Sequence, residues 1–243
     1  MARRGDGGRR QRQRRQQVQY EELDKYPVMP PHAFARIVRD LRTLNIIYQV
    51  IEPPLTKKEE EVRSEIMSIF IQALTADIEE IDANPELYLR AAMDQIIKSY
   101  RLKVNKKSRS KIFYYLKRDL IGYGRMDVLM NDANVEDVSL DGTNIPIFAY
   151  HRKFESVETT IAWPDDVELE SYVIKLAQRC GKHISVAEPL LDATLMDGSR
   201  IVMKLGREVS TRGSTFCIRR FREDPFSPCD IVAFRTMTSL MVA

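Results

Sequence analysis

Arg200, Arg207, Arg212, Arg219 and Arg220 stand close together in the stretch GKHISVAEPLLDATLMDGSRIVMKLGREVSTRGSTFCIRRFREDPFSP, residues 181–228. A guanidinium presents a planar fork of N–H donors that matches the oxygens of a phosphate. Residues 200–205 (RIVMKL) and 214–221 (STFCIRRF) read as strands, and a hairpin built from them would bring several of these groups to one rim. Side chains alternate faces along a strand, so Arg219 and Arg220 would point to opposite sides. Phosphate contact is the chemistry such a rim could perform. A solvated strand face laced with salt bridges is the other reading of the same residues.

Other chemistries find no footing. The chain contains no G-x-x-x-x-G-K-[ST], H-E-x-x-H, G-x-S-x-G or G-x-G-x-x-G string, so the local signatures of P-loop nucleotide binding, zinc hydrolysis, nucleophile elbows and dinucleotide binding are missing. His32, His151 and His183 lie far apart in sequence and read as structural or surface residues, with no metal site expected. Cys180, Cys217 and Cys229 are widely spaced without a C-x-x-C pair, which argues against a zinc site or a disulfide framework and fits a reducing cytoplasm.

The 243 residues carry a formal charge of +3, with 44% hydrophobic and 30% charged residues, an ordinary globular balance. The charge is uneven. Arg3, Arg4, Arg9, Arg10, Arg12, Arg14 and Arg15 oppose a single acid, Asp6, in the first twenty residues, leaving 31 basic and 34 acidic residues elsewhere. Residues 1–25 therefore read as a disordered Arg-rich tail that could touch anionic lipid or nucleic acid through its field. The body after it shows no basic stripe and no recognisable nucleic-acid fold. No run of eighteen apolar residues occurs, so no transmembrane span is expected.

The elements that would position the arginines follow from pattern. PVMPP (27–31) should be extended. AFARIVRD (33–40) alternates with period two and IIYQVIE (46–52) is β-branched, which predicts a hairpin turning at 41–45, a single helix across 33–51 being the rival. Thr56 with Glu59 forms a capping box for a helix over 57–81. Asn84-Pro85 opens a second helix, and Ser108 is placed to cap a third over 109–121. Strands are expected at 135–140, 145–150 and 157–162, a helix at 166–180 closed by Gly181, and a last helix beginning near 228–230. The resulting partition is a hairpin plus three-helix module at 26–124, an α+β sheet-and-helix (PAS-like) domain at 125–228, and a linker at 229–243.

Several ordered motifs resemble the secretion ATPase family, above all its archaeal members. GKHIS (181–185), DATLMDGSRI (192–201) and RGSTFCIRRF (212–221) are similar to the family's G-K-H-x-S, D-A-x-L-x-D-G-S-R-I and R-G-S-T-F-x-I-R-K-F segments. GYGRMDVLMNDANVEDVSLDG (122–142), YHRKF (150–154) and VIEPPLTKKEEE (50–61) extend the likeness from about residue 26 onward. Departures are modest: Met196 stands where the family often has proline, Cys217 where it has threonine, and Arg220 where it has lysine.

The resemblance implies the N-terminal region of a hexameric ATPase driving type II or type IV secretion, pilus or archaellum assembly. Its RecA-like domain, with the P-loop and the sites for ATP and Mg, would lie beyond Ala243, so the chain alone is expected to bind neither and to be inactive. Implied partners are that C-terminal ATPase domain, neighbouring subunits of the ring and a polytopic membrane platform protein, at the cytoplasmic face of the membrane. By motif position Arg200, Arg212, Arg219 and Arg220 are the arginine-finger candidates; such a finger is worth ~10³–10⁵ in rate. Phe221 would pack under the adenine or fill the core. The alternatives are a pure protein-interaction module, docking to a membrane platform or regulator, and a nucleic-acid binder acting through the tail.

Overall fold

A computed structural model describes residues 19–73, 84–221 and 227–238. Its described residues form a mixed nine-stranded sheet with six helices, the α+β class expected, and no RecA-like ATPase domain. The Arg-rich residues 1–18 fall outside them, so the tail reading does too. The structure does correct the tail's boundary, because strand β1 (Tyr20–Met29) already includes residues 20–25. That strand is masked in composition by its charges. Glu22 pairs with Arg36 at 2.5 Å and Glu21 with Arg39 at 3.2 Å across to β2 (Ala33–Asp40), the charged dressing of an edge strand.

The hairpin expected at 33–51 forms between β2 and β3 (Ile46–Ile51), in antiparallel register from Phe34↔Ile51 to Arg39↔Ile46. It does not stand with the helices, however. β3 runs parallel to β6 (Glu155–Ala162), through Ile47↔Glu158 and Tyr48↔Thr159. Together with β4 (Val135–Leu140), β5 (Pro146–His151), β7 (Leu190–Thr194), β8 (Arg200–Lys204) and β9 (Thr215–Arg219), this gives the order β1-β2-β3-β6-β5-β4-β9-β8-β7. β7 is the one strand in the C-terminal half that the sequence pattern did not announce.

Among the described residues, three long helices follow β3 in the chain. Thr56 and Glu59 close the expected capping box on α1 (Lys57–Ala73): the Thr56 amide donates to the Glu59 carboxylate at 2.8 Å, and the Glu59 amide donates to Thr56 Oγ1 at 3.3 Å. Residues 74–83, where α1 was expected to continue, lie outside the described residues. Asn84 caps α2 (Pro85–Ser99) as expected. For α3 (Lys106–Leu120) the cap is Asn105, whose Oδ1 accepts from the Ser108 amide at 2.7 Å. Ser108 is already inside the helix, and its hydroxyl donates to Glu59 Oε1 at 2.6 Å instead, tying α3 to the start of α1. Ile66, Leu89, Met93, Ile96, Ile112 and Leu116 make a separate core among the three.

A 3₁₀ turn (Gly124–Met126) and α4 (Asp127–Asn131) lead into β4. α5 (Asp166–Arg179), with Gly181 beyond its end at φ +66°, buries Leu169, Val173, Leu176 and Ala177 in the main core, with Trp163, Phe216, Ile201 and Ile218. Alternation leaves the opposite side of β5, β8 and β9 open: Phe148, Tyr150, Val202, Cys217 and Arg219 are exposed. α6 (Pro228–Ala233) starts at a second capping box, Ser227 with Asp230.

Cations on α5 join the helices to the sheet. Lys175 Nζ donates to the Asp119 carbonyl at 2.6 Å, and the Arg179 guanidinium donates to the Gly122 carbonyl and to that of Ile121 at 2.6 Å. These carbonyls end α3, where the helix dipole is negative and positive charge is favoured. On the other side Tyr114 Oη and Arg118 Nη1 both donate to Glu52, at 2.7 and 2.8 Å.

Candidate functional site

The arginine rim is built on the β7–β8 hairpin and on β9. Between β7 and β8 the chain turns through residues 195–199, with the Gly198 amide donating to the Leu195 carbonyl at 3.0 Å and the Leu195 amide to that of Ser199 at 2.8 Å. Asp197 accepts from the Ser199 amide at 3.0 Å and from its hydroxyl at 2.9 Å. Gly198 sits at φ +84°, which favours glycine in this turn, and a Cβ there would come within 3.2 Å of the Phe221 ring and push that exposed side chain slightly aside. Met196, in the same turn, is 89% exposed.

This hairpin places Arg200 opposite Arg219, and Arg219 in turn opposite Asp137 on β4. Cross-strand partners share a face, so both guanidiniums lie on the open side of the sheet. Their side chains are 73% and 80% exposed. Each is drawn to a carboxylate: Arg200 Nη2 lies 3.4 Å from Asp192, and Arg219 Nε donates to Asp137 at 3.1 Å. The Asp137 hydrogen bond and charge raise the Arg219 pKa further above its ordinary value. Two like charges facing each other are unfavourable in themselves; the two acids offset this, and an anion inserted between the guanidiniums would do so more directly.

Arg220 turns the other way, as alternation requires. Its Nη1 donates to the carbonyls of Asp132 and Val135, the latter at 2.7 Å, and its amide donates to the Glu136 carbonyl at 2.9 Å. It fastens the start of β4 and does not reach the open face. Arg212 lies at the far end of β9, whose five residues span about 13 Å. Its carbonyl accepts from the Thr143 amide at 2.8 Å, near the Arg207–Asp166 pair at 2.7 Å. The four arginines nominated from the sequence thus divide: Arg200 and Arg219 together, Arg212 apart, Arg220 inward. Phe221 does not fill the core. It is 62% exposed over Gly198, and its amide donates to the buried Ser199 hydroxyl at 3.0 Å.

Sequence reasoning did not single out Asp137 and Asp192, the counter-charges of the pair. The alternation of VEDVSL and LLDAT puts both on the open face, a signal visible only once the strands are paired.

Behind Arg220 lies a buried polar cluster. Asp132, 2% exposed, accepts at one carboxylate oxygen from Tyr26 Oη and Tyr48 Oη, both at 2.7 Å. Burial, then the carboxylate, push both phenols well above the usual tyrosine range. His151 Nδ1 accepts from the Lys153 amide at 3.1 Å, which leaves Nε2 to donate to Tyr26 Oη at 2.9 Å. Burial pushes the His151 pKa down. His32 is occupied elsewhere, with Ser110 Oγ at 3.0 Å. Among the described residues no group of three or more His, Cys, Asp or Glu is arranged to hold a metal ion, and no helix is long and apolar enough to cross a membrane.

No protein-family model matches the chain. Three uncharacterized proteins of Methanocaldococcus jannaschii are similar to it: one is 42% identical over 164 residues, another 35% over 143 and a third 34% over 126. These matches cover 67%, 59% and 51% of this chain, but 65%, 26% and 17% of the respective relatives, so the chain spans only part of each. Among solved structures, part of the fold is similar to the VirB11 ATPase from the Brucella suis type IV secretion system in complex with sulphate, with a TM-score of 0.37 and 19% identity over 46% of this chain and 33% of that one.

Proposed function

We propose that this chain is the nucleotide-facing N-terminal region of a secretion-type motor ATPase. It does not cleave ATP. Its Arg200–Arg219 pair contacts the phosphates of ATP carried by a P-loop domain, and its surfaces join neighbouring subunits of a hexameric ring and couple the ring to a membrane platform on the cytoplasmic side. The ordered motifs from GYGRMDVLMND to RGSTFCIRRF support the family reading. The observation that carries the site is the cross-strand placement of two highly exposed guanidiniums on an uncovered sheet face.

The residues fit this role in part. Arg200 and Arg219 offer forked donors to phosphate oxygens, and both are accessible to a second polypeptide surface. The sequence contains no P-loop to cradle the phosphates, and the described residues offer no carboxylate cluster for Mg, so both would be held by the other wall of the cleft. In the bound state ATP supplies the scissile phosphoanhydride; this chain's contribution is positive charge at the phosphate oxygens. A contact made with ATP and lost after hydrolysis is a differential interaction, which is what shifts a conformational equilibrium. Arg220 is not a finger in this scheme but a positioning residue that holds β4 and the base of Arg219.

The test is ATP turnover of the motor assembled with its Walker-motif ATPase domain. Arg200→Ala and Arg219→Ala should each lower kcat by at least tenfold, towards the ~10³ range of a lost finger, while Arg212→Ala should not. Wild-type turnover in both single variants would sink the assignment.

A second reading, a protein-interaction module docking to a platform or regulator, has one observation in its favour: the open sheet face also exposes Phe148, Tyr150 and Val202 beside the charged row. Partner binding that survives Arg200→Ala and Arg219→Ala but not Phe148→Asp would support it.

A further inference from the structure

We infer that residues 98–111, the hairpin end joining α2 to α3, form a docking surface for an anionic phospholipid bilayer. This inference does not depend on the nucleotide reading. It also corrects the impression that the body of the chain lacks a basic stripe: KSYRLKVNKKSRSK holds Lys98, Arg101, Lys103, Lys106, Lys107, Arg109 and Lys111, with no acidic residue among them.

The backbone displays these charges in a fixed array. α2 closes with the Tyr100 amide on the Ile96 carbonyl at 3.0 Å and the Leu102 amide on that of Ile97 at 3.0 Å, with Arg101 at φ +52°. Leu102 and Val104 then turn inward against the helical core, while Arg101, Lys103, Asn105, Lys106 and Lys107 are exposed. The apolar pair pins the loop, so the cations are presented without first having to be ordered. Arg109 is engaged by Asp94, and Lys111 lies 3.8 Å from Glu59. Among the described residues Lys98, Arg101, Lys103, Lys106 and Lys107 have no carboxylate partner. The amino end of α3 adds its partial positive charge at the same place.

Three features favour a bilayer over a nucleic acid. Five of the seven cations are lysines, compact point charges without the planar fork that reads phosphates and stacks on bases. They crown the end of a helical hairpin, and the described aromatic among them, Tyr100, is 56% exposed between Lys98 and Arg101. An amphipathic ring flanked by cations suits the headgroup layer, where tyrosine settles. A single such ring offers no stacking platform for successive bases.

The experiment is co-sedimentation of the whole chain with vesicles of phosphatidylserine in phosphatidylcholine, against phosphatidylcholine alone, at low and high salt. Each cation near an anionic surface is worth about fivefold in partitioning. Replacing Lys103, Lys106 and Lys107 together by Gln should therefore lower binding roughly a hundredfold, and Lys98→Gln with Arg101→Gln roughly twenty-fivefold, with unfolding temperatures unchanged. Replacing the seven tail arginines by Gln separates the tail's contribution: the remaining binding should still be lost with the lysine variant. The inference is overturned if the lysine variants bind as the wild type does, if all binding goes with the tail arginines, if phosphatidylserine vesicles are not bound, or if a single-stranded oligonucleotide is bound through these lysines and the vesicles are not.

Discussion

Arg219 and Arg220 are neighbours in the chain and opposites in the structure: one guanidinium reaches Asp137 on the open face at 3.1 Å, and the other reaches the carbonyls of Asp132 and Val135 on the inner side. Their substitutions should separate accordingly. Arg220→Ala leaves two backbone acceptors without their charged donor and should destabilise the fold by about 1–3 kcal/mol. Arg219→Ala and Arg200→Ala remove exposed ion pairs and should leave the urea midpoint unchanged. Chemical denaturation of the three variants checks this, and a midpoint for Arg220→Ala equal to wild type would contradict the anchoring role.

Tyr48→Phe removes a hydroxyl from a buried carboxylate that has another phenol to lean on. The expected loss is about 1.5–3 kcal/mol, since a hydrogen bond to a charged group is involved. Tyr26→Phe breaks the link to His151 as well. Because both tyrosines share one oxygen of Asp132, the double variant should depart from additivity by about 0.5 kcal/mol or more, measured by a double-mutant cycle.

His151 makes stability depend on pH below neutrality. Burial lowers its folded pKa from the ordinary 6.5, so the unfolded chain takes up the proton first. Its stabilising contribution is complete above pH 6.5 and is lost as pH falls through the lower folded value. Protonation at Nδ1 would also set two N–H groups, those of His151 and Lys153, against each other. Urea midpoints measured between pH 8 and pH 5 should fall with pH in the wild type and fall less in His151→Gln.

The start of α3 offers a contrast between two residues three apart. Asn105→Ala removes the cap and should cost about 1 kcal/mol. Ser108→Ala leaves the cap intact but frees Glu59, whose pKa is held at about 2 by the Ser108 hydroxyl first and the Thr56 amide next. With a depressed folded value, the contribution of Glu59 is complete above pH 4.5 and lost as pH falls through about 2. In Ser108→Ala the folded value should rise toward 4.5, which carbon-13 NMR of the Glu59 carboxyl would report, while the wild type titrates near 2.

Local signals were legible where the chain satisfies its own backbone. Thr56 with Glu59, Asn84 with Pro85, the alternation through 33–40 and the β-branched run at 46–52 are each short-range signals, and each formed its element. Signals that depend on a partner were not legible. β1 carries Glu21, Glu22, Asp24 and Lys25, which look like solvated chain until Arg36, Arg39 and Lys153 are placed across from them. β7 is short and lies at the other edge, with Leu190 61% exposed. Ser108 and Asn105 are both competent caps; Asn105 takes the role, and the Ser108 hydroxyl goes to Glu59, a partner remote in the chain. At the site, alternation separated Arg219 from Arg220 correctly, but nothing local revealed that Arg212 would end up the length of a strand away, or that the Phe221 ring would lie over Gly198 and outside the core.

The β3–β6 seam is the narrowest weld in the sheet, with register partners Ile47↔Glu158 and Tyr48↔Thr159 joining stretches about a hundred residues apart in the chain. Its reinforcement is placed just behind it: the Tyr48 hydroxyl is riveted to Asp132, whose own carbonyl is gripped by Arg220, one peptide unit from Arg219. The arginine rim and the seam are thus linked through one residue, Asp132. The Tyr26 hydroxyl on β1 ends on the same carboxylate oxygen, so parting the three N-terminal strands from the remaining six along this line also means prising both phenols from Asp132.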